Sequence, residues 1–68
     1  MITDDKQLKV TMERISRFQA QLAHLRISEP NAANFHAAAS GFLAEMDRMQ
    51  GEVREYLSTH PNELETIP

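Results

Sequence analysis

The 68-residue sequence has no cysteine and no tryptophan, only two glycines and three prolines, and only four aromatic residues, Phe18, Phe35, Phe42 and Tyr56. Without cysteine there is neither a disulfide framework nor a thiolate zinc site. Two isolated glycines leave no phosphate-cradling loop of the usual kind. No apolar run approaches the roughly 20 residues that span a bilayer. Asp4 and Asp5 precede any apolar stretch, unlike a secretory leader, so the expectation is a cytoplasmic protein with no membrane contact. The net charge of −3 divides unevenly, +2 over residues 1–28, −3 over residues 29–60 and −2 from Glu63 and Glu65 in the tail. Helices of opposite sign favour lying side by side, and a phosphate-binding surface would be more densely basic, so nucleic acid is not expected as the partner.

What the chain does have is two long stretches of helical periodicity. Counting heptads with Leu8 at position a places Leu8, Ile15 and Leu22 at a and Thr11, Phe18 and Leu25 at d, with Met12 on the flank. In the second stretch Ala32, Ala39, Met46 and Val53 occupy a, and Phe35, Phe42, Met49 and Tyr56 occupy d. Only Thr11 interrupts the first seam. The spacing predicts helix 1 over about residues 4–27 and helix 2 over about 31–59, followed by a tail over 61–68. Asp4 with Gln7 three positions on fits a capping box, and Asp5–Lys9 and Glu13–Arg17 have i, i+4 spacing suited to ion pairs. The one internal break, Ser28-Glu29-Pro30-Asn31, is short and contains a proline that disfavours helix in its predecessor. Such a connection predicts an all-α antiparallel helical hairpin.

Gly41 and Gly51 fall off the seam and are expected to be exposed. A second reading of Gly41 joins it to Ala37, Ala38, Ala39 and Ser40 as a small-residue patch that lets another helix approach. Met46 and Met49 continue the phenylalanine stripe and read as core fillers. In the tail, Asn62 can cap a short turn, and Leu64 and Ile67 are candidates to dock on a neighbouring helix.

Little in the sequence suggests chemistry. Ser16, Ser28, Ser40 and Ser58 have no histidine and acid at any local spacing. His24, His36 and His60 include no i, i+4 pair. His24 and His36 flank the turn, where exposed polar residues are expected. No catalytic, metal or cofactor site is predicted, and no enzymatic activity is expected.

Three segments, Met1-Ile2-Thr3-Asp4-Asp5-Lys6-Gln7-Leu8, Phe18-Gln19-Ala20-Gln21-Leu22 and Glu52-Val53-Arg54-Glu55-Tyr56, resemble the N-terminal helical hairpin of bacterial Xre-like, antitoxin-type regulators. There the hairpin precedes a helix-turn-helix domain. The resemblance covers residues 1 to 57 and implies an association module, here without the DNA-reading helix-turn-helix. It also implies pairing with itself or with a full-length regulator or toxin-like partner, and it carries over no DNA-contacting residue.

Two helices with one apolar seam each do not enclose a core of their own, and a chain this short has little net stability to spare. The expectation is therefore a homodimer forming a four-helix bundle, with a tetramer as the alternative. Its core and interface would comprise Leu8, Ile15, Phe18, Leu22, Leu25, Phe35, Ala39, Phe42, Met46, Met49, Val53 and Tyr56. The competing reading is a nucleic-acid accessory protein that touches phosphates through Lys6, Lys9, Arg14 and Arg17 on helix 1.

Overall fold

The computed structural model describes residues 1–60, and over them the chain forms two helices, α1 (Asp5–Ser28) and α2 (Ala32–Leu57), without a strand. At 1.5 Å per residue these are rods of about 36 and 39 Å. Asp4, in extended conformation, caps α1: its Oδ1 accepts the backbone N–H of Gln7 at 2.8 Å. The return half of the capping box is shifted by one residue. Gln7 Oε1 accepts from the Thr3 backbone N–H at 2.9 Å and from the Thr3 hydroxyl at 3.0 Å, not from Asp4. That clasp fixes the chain just ahead of the helix, and Ile2 is buried beside Met49, Glu52 and Tyr56 of α2.

α1 continues through Ser28 and stops at Glu29, whose φ of −104° and ψ of 107° are the extended values a following proline imposes. Asn31 then caps α2, its Oδ1 accepting the Asn34 N–H at 3.0 Å, while Glu29 Oε1 accepts the Asn31 N–H at 3.1 Å. The turn thus satisfies its own polar groups and needs no residue with positive φ. α2 ends at Leu57, two residues earlier than the sequence spacing suggests. The Ser58 and Thr59 hydroxyls both donate to the Glu55 carbonyl, and the Thr59 N–H bonds to Tyr56 in a tighter turn. Side chains that compete for helical carbonyls end a helix in this way.

A three-residue connection leaves the helices antiparallel and in contact along their seams. Ile15, Ala39, Met46 and Met49 are buried, with Ala39 at 1 % and Met49 at 2 % exposure. Leu8, Thr11, Phe18, Leu22, Leu25, Phe35, Phe42, Val53 and Tyr56 are half-buried. Phe18 and Phe42 meet edge to face, ring centroids 5.5 Å apart at 86°. Ala32 does not join the seam: as the first residue of α2, level with the end of α1, it is exposed. Gly41 and Gly51 are exposed, and a Cβ at either would meet nothing within 4 Å. The Asn62 turn and the docking of Leu64 and Ile67 fall outside the described residues. No helix among the described residues is long and apolar enough to cross a membrane.

Candidate interaction surface

Antiparallel packing around an a/d seam leaves two flanks, one formed by the e columns of both helices and the other by their g columns. The g flank is polar. It carries Gln7, Arg14 and Gln21 from α1 with Glu45 and Glu52 from α2, the two glutamates being bridged within α2 by Arg48. The Arg48 guanidinium sits 2.6 Å from Glu45 and 3.2 Å from Glu52. The hydrogen bond and charge of Glu45, with Glu52 behind them, raise the arginine pKa further above its ordinary value.

The e flank is different in chemistry. From α1 it presents Asp5, Met12, Gln19 and Arg26, and from α2 His36, Leu43, Gln50 and Leu57. Met12, Leu43 and Leu57 are 51, 48 and 63 % exposed, which makes this flank the home of three of the six large apolar side chains exposed among the described residues. Of the other three, Met1 and Val10 line a hollow on the opposite side together with Asp4, Lys6, Arg14, Arg48 and Glu52, and Ile27 stands apart near the turn. Between the e columns runs an open groove of about 600 Å³ in which Met12, Gln19, Gln50 and Leu57 stand over Ile15 and Val53, and a second hollow of about 340 Å³ continues it toward Leu8. Exposed apolar groups aligned in one strip mark an interaction surface, whereas scattered ones do not.

At the open end of the hairpin, the Tyr56 hydroxyl donates to Asp5 Oδ1 at 2.6 Å and so bridges the two helices. That hydrogen bond is the main cause of a raised tyrosine pKa; desolvation and the charges of Asp5 and Asp4 act in the same direction. Asp5 does not pair with Lys9 as its spacing suggests, nor Glu13 with Arg17, and no ion pair among the described side chains joins α1 to α2. The Met1 ammonium instead lies 3.2 Å from Glu52.

The twelve residues named from the sequence are each buried or half-buried in the hairpin. The spacing missed Ile2, which precedes the helix and has no period to betray it. Ile2 stands two residues ahead of the capping Asp4, one short of the position from which a hydrophobic staple would be read. His24 and His36 are exposed, and among the described residues no three His, Cys, Asp or Glu side chains are grouped to hold a metal. Lys6, Lys9, Arg14 and Arg17 are exposed but spread over the outward half of α1, with Glu13 among them. No polar or charged side chain among the described residues is buried. Comparison with protein-family models, curated proteins and solved structures finds no match for the chain.

Proposed function

We propose that the chain is a self-associating helical module whose role is protein–protein interaction. One observation carries the reading: the hairpin covers its own seam only in part. Nine of its seam side chains stay half-buried, and Met12, Leu43 and Leu57 continue the apolar surface into solvent. Hydrophobic burial is the dominant favourable term in folding and association, so a second layer of helices stabilises this chain more than any local contact it lacks. A homodimer supplies that layer as a four-helix bundle with the a and d seams inside, extended by Met12, Leu43 and Leu57 from the e positions. The resemblance to regulator hairpins extends the proposal to a regulator or toxin-like partner carrying a similar hairpin.

Sedimentation equilibrium across micromolar to millimolar protein, with thermal melts at the same concentrations, tests the reading. A dimer whose melting temperature rises with concentration is the expected result. A monomer throughout, melting cooperatively at a temperature independent of concentration, refutes it.

A further inference from the structure

We infer that the e flank is the self-association face and that a second copy seats on it about a two-fold axis perpendicular to the helices, with the two turns at opposite ends of the bundle. The inference rests on the self-association reading and adds the face and the symmetry.

The choice of face follows from the asymmetry of the flanks. Covering the g flank would desolvate Arg14, Glu45, Arg48 and Glu52, and charges removed from water cost more than their pairing returns unless the geometry is excellent. Covering the e flank removes Met12, Leu43 and Leu57 from water and desolvates Gln19 and Gln50 near its centre; of charged side chains the larger groove there is lined by Arg54 alone, against two acids and two arginines on the g flank. Both glutamines have amide groups able to pair with each other or with water at the rim.

The symmetry follows from the charges at the ends of the α1 column, which runs Asp5, Met12, Gln19, Arg26. It begins acidic and ends basic, so it is complementary to itself when reversed. A perpendicular two-fold axis lays α1 antiparallel on its own copy, sets Asp5 against the partner's Arg26 twice, and sets Met12 against the partner's Gln19. The α2 column then pairs Leu43 with the partner's Gln50. One axis serves both columns. The Phe18–Phe42 and Asp5–Tyr56 contacts fix the axial level of the helices, and at that level the midpoints of the two columns lie about 1.5–3 Å apart. An axis parallel to the helices instead sets Asp5 against the partner's Leu57 and Arg26 against the partner's His36, leaving the acid without a cationic partner.

Because the chain has no cysteine, engineered thiols report the arrangement directly. The double variant Met12→Cys/Gln19→Cys should be driven to covalent dimer by mild oxidation; the two positions lie about 10 Å apart along one helix, too far to bridge within a chain. Leu43→Glu, at a site already half in solvent, should keep its helical circular dichroism and weaken dimerisation at least tenfold. Wild-type dimer with a dimeric Leu43→Glu, and oxidation that links Gln7→Cys/Gln21→Cys on the g flank, overturns the face and leaves self-association standing. Dissociation by Leu43→Glu without a link between positions 12 and 19 overturns the two-fold arrangement alone. A wild-type chain monomeric at every concentration removes both.

Discussion

Phe18 and Phe42 form the aromatic contact between α1 and α2, and their edge-to-face geometry can be weighed separately from their burial. With centroids 5.5 Å apart and ring planes at 86°, the positive edge of one ring meets the negative face of the other, an arrangement worth about 0.5–1.5 kcal/mol beyond area burial. Replacing each phenylalanine by leucine keeps the position apolar and removes the ring. Each single variant should lose on the order of 1 kcal/mol, the centre of the distribution for point substitutions. The double variant should lose less than the sum by the coupling energy. At about 0.05–0.15 kcal/mol per residue a chain of this length has roughly 3–10 kcal/mol of stability, so all members of the cycle remain folded. Urea unfolding followed at 222 nm reads the effect, since a slope of about 1 kcal/mol per molar for a small protein turns 1 kcal/mol into a midpoint shift of about 1 M. All four proteins must be measured at one concentration, because association adds to apparent stability. Losses that add to within about 0.3–0.5 kcal/mol, as independent sites do, would refute the reasoning and leave the rings as space-filling groups only.

Leu22→Asp and Phe42→Glu place a charge in the seam between the helices and should abolish helical circular dichroism outright; a folded monomer from either in sedimentation would show that the seam is not the core. Gly41→Ala and Gly51→Ala meet open space and should stabilise by about 1 kcal/mol each, raising the melting temperature by roughly 4–8 °C apiece. A fall with Gly41→Ala alone would mean that another helix lies against the small-residue patch. The Tyr56 phenol should titrate above its ordinary 10.0 by ultraviolet absorbance, and Asp5→Ala should lower it, leaving the smaller effects of desolvation and Asp4. Since the folded value is the raised one, the stability from this hydrogen bond is fully present below pH 10.0 and is lost as pH climbs through the folded value. Wild type should therefore lose its advantage over Tyr56→Phe between neutral and strongly alkaline pH, and an unchanged difference would contradict the bond.

Most of the hairpin is legible from spacing because each of its causes is local. Leu8, Ile15 and Leu22 repeat every seven residues, Asp4 and Asn31 are capping types placed just before helical stretches, and Pro30 restricts Glu29 directly. Where the spacing misleads, a competing side chain intervenes, from across the hairpin or from the next turn. Asp5 is four residues from Lys9, but Tyr56, 51 residues away, delivers a hydroxyl to the same carboxylate. Ser58 and Thr59 fit a helical count, yet their hydroxyls turn back onto Glu55 and end α2 early. The candidate surface is the least legible part for a geometric reason. A heptad count assigns each residue an angle around its own helix, so Met12, Leu43 and Leu57 register only as residues off the seam. They become one strip once the antiparallel register sets the e column of α1 beside that of α2, and the register is held by Phe18 on Phe42 and Tyr56 on Asp5. Each helix therefore contributes half of a surface that exists only in the hairpin, and substitutions in the turn that change the register should disperse the strip even where both helices persist.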